Sequence, residues 1–131
     1  MDLATTYPAM TILGRAAVGG LYLVAGIEHL FSIGALSKPL SERGIPLPVP
    51  SLICASVFQS LAGLAVMLGI GLPWSALSLV AFTVVAGIVM IDFWNKKGEE
   101  RAAGILAWQS NVAIMGALLI IAASHAAPLI A

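Results

Sequence analysis

Charge is scarce in this chain. Only 9% of its 131 residues are Asp, Glu, Lys or Arg, where a soluble domain carries about 25%, so the polar surface needed to face water is missing. Cysteine is nearly absent as well. The single Cys54 excludes an internal disulfide and the paired-cysteine chemistry of membrane thiol oxidases, and it reads as a small packing residue. The two histidines, His29 and His125, stand at opposite ends of the apolar sequence. They cannot meet at one depth to hold a haem, and a stable zinc site needs three or four ligands. The chain has no Ser-His-Asp grouping, no phosphate-binding loop and no nucleic-acid motif. Catalytic residues and metal ligands are therefore assigned to no position. A basic N-terminal region is also lacking, since Asp2 stands where a secretory signal would carry Lys or Arg, so the first apolar block is expected to stay in the mature protein.

Apolar residues are abundant. They make up 60% of the chain, with a mean hydropathy of +1.04, and they come in blocks of about 20, the length that crosses a bilayer core as a helix. The blocks predict an all-α integral membrane four-helix bundle, with helices over about 11–31, 51–70, 73–94 and 102–123, in one domain spanning 1–131. Pro50 and Pro73 stand at the starts of two blocks, where the missing N–H is harmless. The stretch from Ser32 to Pro50 reads as a structured surface loop, and Asn95 to Arg101 as a solvated charge run. Small residues four apart, Ala16 with Gly20, Ser56 with Ser60 and Ala113 with Ala117, suit the close backbone approach that drives helix association in lipid. Five of the six Lys and Arg, namely Lys38, Arg43, Lys96, Lys97 and Arg101, fall in the first and third connections. The positive-inside rule then places those connections in the cytoplasm and both termini outside.

Against this apolar background the few polar groups stand out. Glu28 and His29 close a run, Ala16 to Ile27, that holds no charge; an ionisable group at the edge of hydrocarbon must be paired, hydrated or used. Gln59 and Asn111 fall at matched depths, about 12 Å from the same edge, and Asp92 lies nearer that edge beside Trp94. Ser56, Gln59, Ser60 and Gly63 share one stripe of the second helix; Gly104, Trp108, Asn111 and Met115 share one of the fourth. Amides facing lipid would strand their donors, so both stripes should point inward. The expected result is a pocket in the cytoplasmic half built from Glu28, His29, Gln59, Asp92, Trp94, Trp108 and Asn111. Arg15 marks the opposite membrane interface, where the outer half offers little else beyond Tyr22 and Thr83. Plainer roles compete with this: Glu28 paired to Lys38 or Lys97, Asp92 held by Lys96, His29 as a simple hydrogen-bonding residue, and the two amides serving only to join helices.

Several of these residues carry a family resemblance. Gly14-Arg15 through Ala25-Gly26-Ile27-Glu28-His29-Leu30 resembles the first helix of the DoxX family of small four-helix membrane proteins. Gly44-Ile45-Pro46, Gly63 with Leu68-Gly69, Asp92-Phe93-Trp94, Asn111 and Gly116-Ala117-Leu118-Leu119 resemble its later motifs. Two positions depart from the pattern. Gln59 stands where the family commonly has an acidic residue, and Ser110-Asn111 replaces a Lys-Asn pair. Both departures remove charge from the expected pocket. The resemblance implies a multi-pass protein of a bacterial or archaeal plasma membrane, acting as an accessory or anchoring subunit of a membrane redox system such as thiosulfate:quinone oxidoreductase or a terminal quinol oxidase. An apolar pocket rimmed by a His, a carboxylate and amides would suit a quinone head group as the candidate cofactor, held by hydrogen bonds to its carbonyls, and the expected partners are the bilayer and either another membrane protein or a second copy. A small proton-coupled exporter and a purely structural subunit are the alternatives.

Overall fold

The computed structural model describes the backbone of residues 8–130 and the side chains of 8–124. Helix α1 runs Pro8–Phe31, α2 Ile33–Glu42, α3 Pro48–Leu68, α4 Trp74–Met90 and α5 Gly98–Ile130, with a 3₁₀ turn at Phe93–Asn95 between the last two. Four segments, Pro8–Phe31, Pro48–Leu68, Trp74–Asn95 and Gly98–Ser124, are long and apolar enough to span a bilayer. The protein is an all-α, multi-pass membrane bundle, as its hydropathy blocks indicate.

The connection between the first two spans departs from the loop expected there. Ser32 makes a single bend, and the chain then continues as α2. Pro39 inside α2 deletes one backbone donor, yet the helix persists because Leu36 and Leu40 lie one turn apart and Leu40 is buried. α2 stops in a Schellman turn. The Ile45 N–H donates to the Leu40 carbonyl and the Gly44 N–H to the Ser41 carbonyl, both at 3.1 Å, with Gly44 in the left-handed region at φ 75°. The same device ends α3, where Ile70 N–H reaches the Ala65 carbonyl at 2.8 Å across Gly69. Pro48 and Pro50 occupy the first turn of α3, where their missing donors leave nothing unpaired.

Packing is tightest between α1 and α3. A methyl placed on Gly63 would stand 2.6 Å from the Gly19 carbonyl oxygen, and one placed on Gly26 would meet Ser60 Oγ and come 2.7 Å from the Ser56 carbonyl oxygen. Lipid tails are as apolar as leucine, so close van der Waals contact takes over the role that hydrophobic burial has in water. The seam thus uses Gly19, Gly26, Ser56, Ser60 and Gly63, whereas Ala113 on α5 is exposed. α4 joins α3 through Phe58 and Phe82, whose ring centroids are 5.7 Å apart. It joins α5 through Gly87, against which the Trp108 ring rests, and the 3₁₀ turn that follows adds Phe93, which fits against Gly104. Tyr22, Val66, Ala76, Leu79, Leu118 and Ala122 make the buried core. Leu13, Leu61, Ile88 and Leu106 point outward, as side chains facing lipid do.

Candidate functional site

Near the end of the bundle that carries α2, the five helices leave a cavity of about 680 Å³ between them. Its wall is mostly apolar. Ala25 comes from α1, Leu36 and Leu40 from α2, Leu52 and Ala55 from α3, Phe82 and Ala86 from α4, and Ile114 from α5. Into this wall are set His29 and Tyr22 from α1, Ser56 and Gln59 from α3, Thr83 from α4 and Asn111 from α5. His29 stands in the last turn of α1 and, like Asn111, is half-buried.

Helical spacing explains how these groups converge. Tyr22 and His29 are two turns apart, and Ser56, Gln59 and Gly63 follow the i, i+3, i+4 pattern, so each set shares a face. The small residues of the α1–α3 seam then bring those two faces together. At the centre, the Tyr22 hydroxyl lies 2.5 Å from Thr83 Oγ1, and the Thr83 hydroxyl donates to the Leu79 carbonyl at 2.7 Å. Gln59 is only 4% exposed. Its Oε1 and the Oγ of Ser56 are buried without a hydrogen-bond partner among the described residues. Leaving such a group unsatisfied costs about 1–3 kcal/mol. Both residues belong to the cavity wall, but these two atoms lie beneath its surface and would meet a ligand's polar atoms only after a side-chain rotation.

Not every residue expected in the pocket lies there. His29, Gln59 and Asn111 line the cavity; Glu28, Asp92, Trp94 and Trp108 do not. Glu28 is exposed and forms no ion pair with Lys38 or Lys97. Asp92 accepts a hydrogen bond from Arg43 Nη2 at 2.7 Å, and not from Lys96, the partner that its plainer reading names. Trp94 is exposed and meets the Phe93 ring edge-on, with centroids 5.3 Å apart. Trp108 stands behind the wall. Its indole N–H donates to the Ile91 carbonyl at 2.8 Å, satisfying an acceptor left over at the end of α4, and it supports Gly87 and Ile91, which do line the cavity. Arg15 lies at the far end of the bundle. Its guanidinium reaches Gly69 at the end of α3, beside a smaller pocket of about 270 Å³ between α1 and α5.

Tyr22 and Thr83, expected apart from the pocket in the outer half, are part of it. The seven-residue spacing of Tyr22 and His29 and the four-residue spacing of Thr83 and Gly87 are the signals that place them on inward faces. Among the described residues, no three of His, Cys, Asp and Glu approach one another closely enough to hold a metal ion.

Comparison with known proteins agrees with this architecture. A sequence model of the DoxX family matches residues 10–92, the segment that supplies α1 to α4 and all the polar cavity residues except Asn111. The chain is 22% identical over 121 residues to inner membrane protein YphA of Escherichia coli (strain K12), an alignment covering 92% of this chain and 86% of that protein. No solved structure matches the chain.

Proposed function

This chain belongs to the DoxX family, and from its cavity we infer that it binds the head group of a quinone-type lipid as an accessory or anchoring subunit of a membrane redox system. The observation that carries this reading is the cavity itself: apolar walls interrupted by Gln59 and Ser56, with His29 and Asn111 nearby. A quinone ring is flat and apolar, with an oxygen at each end. The amides of Gln59 and Asn111 and the imidazole of His29 each offer donors and acceptors, so they can meet a carbonyl or a hydroxyl. The volume lies in the range of about 300–1,000 Å³ usual for small-molecule sites. The isoprenoid tail would lie in lipid beside the bundle. The redox setting is supported by the resemblance to subunits of quinone-linked enzymes, which is an argument from family and not from chemistry.

A proton-coupled exporter fits less well. No carboxylate lines the cavity; Glu28 faces outward and Asp92 is held by Arg43. In the proposed orientation, the end bearing Arg43 and Asp92 faces the cytoplasm and the start of α1 faces outside, because five of the six Lys and Arg gather in the connections at that end. The inner-membrane relative supports placement in a plasma membrane of this kind.

Purification in a mild detergent, followed by organic extraction and identification of the co-purifying proteins, tests the proposal. It expects a quinone near one per chain together with a dehydrogenase or oxidase subunit. A partner protein without any quinone would favour a structural role. Finding neither a quinone nor a redox partner would contradict the proposal.

A further inference from the structure

We propose that the Tyr22–Thr83 pair makes the floor of the cavity a hydrogen-bond acceptor, so that the site favours a ligand that offers a hydroxyl there, the dihydroxy form of a quinone over its dicarbonyl form. This rests on the quinone-type reading of the cavity and sharpens it by assigning the preferred form.

The argument counts protons. Thr83 has one hydroxyl hydrogen, and its Oγ1 lies 2.7 Å from the Leu79 carbonyl oxygen. That oxygen can only accept, so the Thr83 proton is committed to it. Thr83 Oγ1 also lies 2.5 Å from the Tyr22 hydroxyl. With the Thr83 proton already used, the proton between those two oxygens belongs to Tyr22. The phenol therefore spends its proton on Thr83 and keeps only lone pairs for a ligand.

A carbonyl oxygen set against that phenol would bring two acceptors face to face, whereas a hydroxyl would donate to it. Tyr22 is 6% exposed and Thr83 5%, so a ligand seated on that small patch leaves no room for water to relieve a mismatch. The remaining polar groups do not discriminate. The amides of Gln59 and Asn111 present a donor at one atom and an acceptor at the other, the Ser56 hydroxyl rotates, and a neutral His29 has one nitrogen of each kind. The preference thus comes from Thr83 acting through Tyr22, which makes Thr83 a positioning residue for the hydrogen-bond direction. One net hydrogen bond corresponds to about a fivefold difference in affinity.

The test is an anaerobic titration of the purified chain with a short-chain benzoquinone and, separately, with its hydroquinone. The wild type should bind the hydroquinone about fivefold tighter. Thr83→Val keeps the shape but removes the acceptor, releasing the Tyr22 proton toward the cavity, and the ratio should fall to one or below. Thr83→Ser, which keeps the hydroxyl, should restore the wild-type ratio, and Tyr22→Phe should bring it near one. Equal or tighter binding of the quinone by the wild type, or an unchanged ratio in Thr83→Val, overturns the inference while leaving a quinone site in place. Failure of both forms to bind the wild type overturns the quinone-type reading itself.

Discussion

Arg43 donates to the Asp92 carboxylate across 2.7 Å, tying the end of the short helix α2 to the segment that follows α4. The same guanidinium reaches the Pro39 carbonyl at 3.3 Å, the acceptor at the last turn of α2. Leu36 and Leu40 of α2 form part of the cavity wall, so this ion pair ties that wall to the segment after α4. Its side chains are 26% and 19% exposed, and ion pairs open to water contribute little to stability. Arg43→Ala should therefore barely move the thermal midpoint, yet hydrogen exchange of the α2 amides should quicken severalfold. Asp92→Asn should do the same, and the double substitution should add little to either.

The α1–α3 seam predicts a sharp contrast between two glycines. At Gly26 even one methyl would collide with Ser60 Oγ and the Ser56 carbonyl. Gly26→Ala should destabilise by about 1–3 kcal/mol through overpacking, and Gly26→Leu by more. At Gly116 an added methyl meets nothing within 4 Å, and Gly116→Ala should be neutral or stabilising by up to about 1 kcal/mol from helix propensity. Denaturation midpoints in one detergent decide the comparison.

Trp108→Phe keeps the ring against Gly87 but removes the N–H that satisfies the Ile91 carbonyl. The expected loss is about 0.5–1.5 kcal/mol, read as a lower midpoint together with faster hydrogen exchange confined to the end of α4.

The spans and the inward stripes of α3 and α5 were legible in the sequence because lipid enforces one rule: backbone groups pair within helices and amides turn inward. That rule located Gln59 and Asn111 by depth alone. It said nothing about α2, a ten-residue helix whose few apolar positions and internal proline resemble a loop when read without a partner to pack on. It also left the pairing of Asp92 open. Lys96 is near in sequence, but Arg43, forty-nine residues away, is brought alongside by the fold. Tyr22 was read by its distance from the charged edge; its hydrogen-bond partner Thr83 sits on another helix, sixty-one residues on, and no local spacing links them.

Gln59 should show opposite effects on stability and binding. Its Oε1 is buried and unpartnered, so Gln59→Leu should raise the denaturation midpoint of the ligand-free protein, by the equivalent of about 1 kcal/mol, while weakening ligand binding. Glu28→Gln, at an exposed position outside the cavity wall, should change neither.

The claim that the cavity is a binding site meets its most direct test in calorimetric titration of a short-chain benzoquinone, in both redox forms, into the wild type and into His29→Ala/Gln59→Leu. The account predicts one site per chain, with affinity at least about tenfold weaker in the double variant, where two hydrogen-bonding groups are gone. Absence of binding by the wild type, or binding that the double substitution leaves unchanged, would contradict it.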